Sequence, residues 1–151
     1  MFRLEIRYLS FFFGLISILS FFNIIYSYYF NLYLNLETYY ISLGLSITLS
    51  ILFYKLKISK KKLSIFDKIL TVFFGYILLP LVLSIPFYLS IYNLSFIDSF
   101  FESISGFTST GFTVFENLKN IDQSLILWRS STQWIGGLYF LFSIIFLIDI
   151  Y

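Results

Sequence analysis

Ser105-Gly106-Phe107-Thr108-Ser109-Thr110-Gly111-Phe112-Thr113 is the stretch on which the fold turns. Hydroxyls and glycines crowd it, whereas its flanks are apolar: Phe96 to Phe107 leads into it and the long run Ser124 to Ile150 follows. Backbone that leaves helical geometry at membrane depth must be buried in protein or line a water-filled path, since lipid satisfies no peptide group. A Thr/Ser/Gly run in that position presents closely spaced carbonyl and hydroxyl oxygens, the chemistry of a cation-coordinating filter.

Composition places the whole chain in a membrane. Of its 151 residues 59% are hydrophobic and only 12% charged, about half the ~25% charge of soluble domains. With a mean hydropathy of +0.88, there is too little polar surface to face water all round. The net charge of +2 is too small to point to nucleic acid. Cysteine and histidine are both missing, which removes disulfides, thiol nucleophiles, common zinc ligands and the usual general base. An enzyme is not expected, nor a bound cofactor. Alanine is missing as well, so part of the 24% aromatic content reflects compositional bias, and single aromatics carry little functional weight.

Taken in order, Leu9 to Phe30 is an apolar run long enough to cross a ~30 Å hydrocarbon core at 1.5 Å per residue. Arg3 and Arg7 precede it, but a signal peptide wants a shorter apolar region and a small-x-small cleavage site, and neither is present. Asn31 to Thr38 is a hinge short enough for two antiparallel helices. Tyr39 to Tyr54 is the second span, extendable through Leu32 to Leu36. Tyr26, Tyr28, Tyr29, Tyr33, Tyr39 and Tyr40 gather near the hinge as an interfacial belt would. Lys55, Lys57, Lys60, Lys61, Lys62, Asp67 and Lys68 form the strongest charge run, read as a solvated cytoplasmic loop under the positive-inside rule. Ile69 to Ile91 is the third span, kinked by Pro80 and Pro86.

Tyr92 to Asp122 is too long for an ordinary helix connection, and it is not polar. Phe96, Ile97, Phe100, Phe101, Ile104 and Phe107 recur at helical spacing, and Ser99-Phe100-Phe101-Glu102 matches a capping box. The expected solution is a re-entrant half-helix that dips into the membrane and returns as extended backbone, its partially negative C-terminal end aimed at a cation; the pattern alone also admits an interfacial helix lying flat. Ser124 to Ile150 is the fourth span, carrying Arg129, Gln133, Trp134, Gly136 and Gly137. Arg129 either snorkels to the interface or pairs with an acid such as Glu102 or Glu116, and the glycines invite a close backbone approach. The fold class is therefore all-α integral membrane, with four transmembrane helices and one re-entrant pore loop between the third and fourth. Three segments follow: 1–54 as a leading helix pair, 55–68 as a basic cytoplasmic linker, and 69–151 as a helix–pore loop–helix unit. The N-terminus is expected in the cytoplasm, with Glu37, Asp98, Glu102, Glu116 and Asp122 outside, where they would concentrate cations.

The residues Phe100-Phe101-Glu102-Ser103-Ile104-Ser105-Gly106-Phe107-Thr108-Ser109-Thr110-Gly111 resemble the first pore loop of Trk/Ktr/HKT-type potassium transporters. Leu127-Trp128-Arg129-Ser130 and Gln133-Trp134-Ile135-Gly136-Gly137 are similar to that family's following helix, and Ser84-Ile85-Pro86-Phe87 to the end of its preceding one. The leading helix pair fits the TrkH type. The resemblance implies potassium uptake across a bacterial inner membrane through a filter of backbone carbonyls. Carried over, K+ sits at Ser109 and Thr110, with Gly111 and Phe112 as further filter residues, and Glu102, Gly106, Thr108 and Arg129 support the loop. Sodium remains an alternative cargo. The implied partners are the remaining pore units, a cytosolic nucleotide-binding regulatory subunit and a second pore subunit in a dimer. Ser109 stands where the family usually has threonine, Phe112 is larger than usual, and Tyr139 replaces a small residue after the glycine pair.

Family members carry four helix–loop–helix units around one pore, and this sequence holds one, the first of four filter segments. It is accordingly expected to be a truncated fragment or one piece of a split gene. The alternatives are a homotetrameric pore-loop cation channel and a non-conducting fragment or accessory membrane subunit.

Overall fold

The computed structural model describes residues 6–56 and 64–148. Among these residues every regular element is helical: α1 (Ile6–Tyr29), α2 (Leu36–Lys55), α3 (Ile65–Leu83), α4 (Ile85–Tyr88), α5 (Phe96–Phe107), a single 3-10 turn (Leu118–Asn120) and α6 (Gln123–Ile148). Four segments are long and apolar enough to cross a membrane: Arg7–Tyr29, Leu36–Lys55, Ile65–Tyr88 and Gln123–Ile148. The chain is thus an all-helical multi-pass membrane protein. Arg3, Lys57, Lys60, Lys61 and Lys62, which carry most of the orientation argument, lie outside the described residues.

α1 and α2 form an antiparallel hairpin around a turn in which Asn31 adopts φ +56°, a left-handed conformation that asparagine tolerates. Small hydroxyl residues line the seam between the two helices. Ser10 Oγ donates to the Ser50 carbonyl at 2.8 Å and Ser50 Oγ to that of Ser10 at 3.0 Å, while Ser20 Oγ reaches Ser42 Oγ at 3.2 Å. Apolar side chains cannot drive helices together in lipid, so small residues and interhelical hydrogen bonds take over that task.

α3 begins at Ile65, four residues before the apolar run. Ser64 and Asp67 form a reciprocal capping box, which places Asp67 and Lys68 inside the helix rather than in the loop. Pro80 sits within α3 and Pro86 at the start of α4. A proline has no N–H to give the preceding turn, and the helix breaks at Ser84. The carbonyl of Leu83, left open by this break, accepts a hydrogen bond from the buried Trp128 indole of α6 at 3.0 Å.

The core gathers around Tyr139, which packs edge-on against Phe12 and Tyr76. It also lies over Gly75, where a Cβ would come within 3.0 Å of the ring. Its hydroxyl donates to the Val72 carbonyl at 2.9 Å. Glycine at position 75 is what makes room for this large side chain. Tyr39, expected in the interfacial belt, is instead fully buried and shares a hydrogen bond with Ser124 at 2.9 Å. Tyr28, Tyr29, Tyr33 and Tyr40 are exposed.

Candidate functional site

α5 has 12 residues, about 18 Å of helix, too short to cross a bilayer. Its starting cap is Ser95, whose hydroxyl accepts from the Asp98 N–H at 3.1 Å and donates to that carboxylate at 2.7 Å. The capping pattern at Ser99 and Glu102 is therefore not the helix start; Ser99 lies one turn in and bonds back to Ser95 O. The helix is polar toward the protein and apolar outward. Ser99, Glu102, Ser103, Ser105 and Gly106 are buried, whereas Phe96, Ile97 and Phe101 are exposed. Ser103 Oγ donates to the Pro80 carbonyl at 2.7 Å, an oxygen in the last turn of α3.

The carboxyl end of α5 closes in a Schellman motif. The Ser109 N–H bonds Gly106 O at 2.9 Å and the Thr110 N–H bonds Ser105 O at 3.0 Å, the 5→2 and 6→1 pattern of that motif. Ser109 occupies the left-handed position at φ +57°, where glycine is usual. Gly111 follows at φ +82°, a conformation open to glycine because it lacks a Cβ. Thr108 Oγ1 meets Thr110 Oγ1 at 2.6 Å and also bonds Ile104 O.

Across this loop sits an ion pair. Glu102 is fully buried and accepts from Arg129 Nε of α6, from Thr113 Oγ1 at 3.0 Å and from the Val114 N–H at 3.0 Å. Arg129 Nη2 donates to the carbonyls of Gly111 at 3.1 Å and Phe112 at 3.3 Å. Ser105 Oγ donates a further bond to Phe112 O at 2.6 Å. Arg129 therefore pairs rather than snorkels, and it clamps the returning strand to the half-helix. The carboxylate needs these partners, because a buried unpaired charge costs several kcal/mol.

The carbonyls of the loop fall into two groups. Ser105 O and Gly106 O are taken by the cap. Gly111 O has one donor and Phe112 O two, which fills both lone pairs of the latter. Ser109 O and Thr110 O accept no hydrogen bond among the described residues. Both residues are exposed, and they lie at the partially negative end of α5.

α6 supports the loop from behind. Gly136 abuts the Phe107 carbonyl group, and Gly106 faces Thr132, whose Cβ would lie 3.3 Å from an added methyl. Gly137, by contrast, meets open space and borders a cleft of about 460 Å³ with Thr108, Ser109, Tyr76 and Phe140. Two of the five acids expected at an open mouth are not there: Glu102 is fully buried and Asp122 is 9% exposed. Ser105, Thr113 and Thr132 carry no individual signal in the sequence; the hydroxyls of Ser105 and Thr113 bond within the loop, and that of Thr132 bonds Arg129 O in its own helix while facing Gly106.

A half-helix, an oxygen-bearing return strand and two flanking spans make this a pore-loop membrane protein. A family model described as TrkH, cation transport protein, matches residues 37–150, and the chain belongs to that family of transporters. It is 46% identical over 54 residues to an uncharacterized cation transporter of Methanocaldococcus jannaschii, covering 36% of this chain and 11% of that protein. Against the Trk system potassium uptake protein TrkG of Escherichia coli it is 34% identical, over 56% of this chain and 18% of the relative. Against TrkH of Salmonella typhimurium it is 32% identical, over 68% of this chain and 21% of the relative. The chain thus spans about a fifth or less of the length of these curated relatives. No solved structure matches it.

Proposed function

We propose that the chain supplies the first of four filter segments of a Trk-type potassium uptake system, with K+ held by the carbonyl oxygens of Ser109 and Thr110. The observation that carries this reading is the division of carbonyls in the loop. Those of Gly111 and Phe112 are bonded to Arg129, while those of Ser109 and Thr110 are free of donors among the described residues and exposed. Gly111 and Phe112 thus belong to the brace of the loop, and Glu102, Arg129, Gly106 and Thr108 hold its shape. One such loop surrounds an ion on one side only, so three further segments, from the same gene product or a partner chain, complete the ring. The system then works in a bacterial inner membrane with the loop facing outward, as a dimer of pore subunits under a cytosolic nucleotide-binding regulator. Rubidium uptake into potassium-transport-deficient cells tests the assignment, using a complete transporter containing this segment. Gly111→Asp places a carboxylate beside the proposed ligands and is expected to abolish selective uptake. Normal uptake at normal membrane abundance would refute it.

A further inference from the structure

The loop that carries the filter leaves the bundle at Ile91 and rejoins it at Asp122, and both feet converge on one side chain of the leading hairpin. Asn35, at the N-cap of α2, is 1% exposed. Its Oδ1 accepts from the Ile91 N–H at 3.2 Å, and its Nδ2 donates to Asp122 Oδ2 at 3.0 Å. We infer that Asn35 is a positioning residue for the pore loop, through which α1 and α2 set the separation of the loop's two feet.

The side chain gives up a local use to do this. An asparagine at an N-cap ordinarily accepts from the N2 or N3 backbone N–H, yet Asn35 makes no side-chain cap bond to its own helix. Its backbone carbonyl is fixed instead by Thr38, through Oγ1 at 2.7 Å and N at 3.1 Å. The residue is thereby held while its amide reaches across to the loop. The amide offers a donor and an acceptor on two separate atoms, one for each foot. Leucine could bond neither foot, and aspartate could bond only Ile91.

The feet are also tied to each other. The Asp122 N–H donates to Tyr92 Oη at 2.6 Å, the Tyr92 hydroxyl lies 3.4 Å from Asn120 O, and its ring packs edge-on against Phe115 in the segment that returns from the half-helix. Asp122 Oδ2 further accepts from Ser124 Oγ, which shares a hydrogen bond with Tyr39 one turn along α2. α2 therefore grips Asp122 twice, directly and through Ser124. No cation pairs with this buried carboxylate among the described residues, so neutral donors, Asn35 of the leading hairpin and Ser124 of α6, hold it in place.

The functional side of this inference rests on the filter reading above, and the test separates the two. A complete transporter containing this segment is compared with Asn35→Leu, with Asn35→Asp, and with the exchange Asn35→Asp/Asp122→Asn. In the exchanged pair the carboxylate at position 35 still accepts from Ile91, and the amide at position 122 becomes the donor. The first readout is the KM for rubidium uptake, normalised to membrane abundance. The second, independent of transport, is the mobility of a nitroxide on Phe112→Cys in a cysteine-free background. Asn35→Leu and Asn35→Asp are expected to raise KM by roughly threefold to tenfold and to loosen the label, and the exchange is expected to restore both. Unchanged KM and label mobility in the single variants would overturn the inference, as would an exchange that behaves like Asn35→Asp alone. If Asn35→Leu does not accumulate, the exchange against Asn35→Asp decides the matter. A parent protein that takes up no rubidium would sink the filter reading, while the nitroxide still reports whether Asn35 positions the loop.

Discussion

Gly136 and Gly137 are adjacent on α6, yet methyl groups added to them should have opposite effects. At Gly136 an ideal Cβ would lie 2.7 Å from Phe107 Cα and 2.5 Å from its carbonyl carbon. These are backbone atoms at the end of α5, so no side chain can rotate away. Relief requires α5 and α6 to part, which also disturbs the Gly106–Thr132 contact. Overpacking of this kind costs about 1–3 kcal/mol, against about 1 kcal/mol gained from replacing helical glycine by alanine. Gly136→Ala should therefore destabilise by up to ~2 kcal/mol and displace the loop. Gly137 meets nothing within 4 Å, so Gly137→Ala should be neutral or stabilising by up to ~1 kcal/mol. Denaturant unfolding in detergent, followed by fluorescence of the buried Trp128, measures both. Equal effects of the two variants would refute the close approach of α6 to the half-helix.

Three further outcomes follow from the loop and its supports. Arg129→Lys replaces a planar fork by a point charge that cannot hold Glu102 and the carbonyls of Gly111 and Phe112 together; unfolding should show a loss of about 2–3 kcal/mol, and rubidium uptake should fall. Ser109→Gly relieves the left-handed strain and should lie between neutral and ~1 kcal/mol stabilising, whereas β-branched Ser109→Val should destabilise by about 1–2 kcal/mol; thermal unfolding in detergent distinguishes them. Tyr139→Phe loses the bond to Val72 O and should cost about 1 kcal/mol in the same assay, while Gly75→Ala, which drives a methyl into the Tyr139 ring, should cost more.

The spans and the half-helix are legible in the sequence for a simple reason. Each is a local pattern, and Phe96 to Phe107 is delimited by apolar spacing on one side and the glycine-hydroxyl run on the other. Its cap is ambiguous because Ser95 and Ser99 each have an acid three residues on, and only tertiary contact sends Glu102 to Arg129 while Asp98 stays at the cap. The start of α3 is hidden in the lysine run, where Ser64 and Asp67 read as loop but form a capping box. Left-handed Ser109 gives no signal, since serine is not a residue one expects at that position. Least legible are Asn35 and Asp122. In sequence they are two polar residues at span ends, 87 positions apart, and nothing local says that they meet.

The central claim is that a cation sits against the carbonyls of Ser109 and Thr110. Anomalous scattering from thallium or rubidium in crystals of the complete transporter tests it most directly. An anomalous peak on the pore axis, in contact with both of these oxygens, is the result predicted. A peak coordinated by Gly111 and Phe112 with Arg129 turned away, or no peak beside this loop, would contradict it.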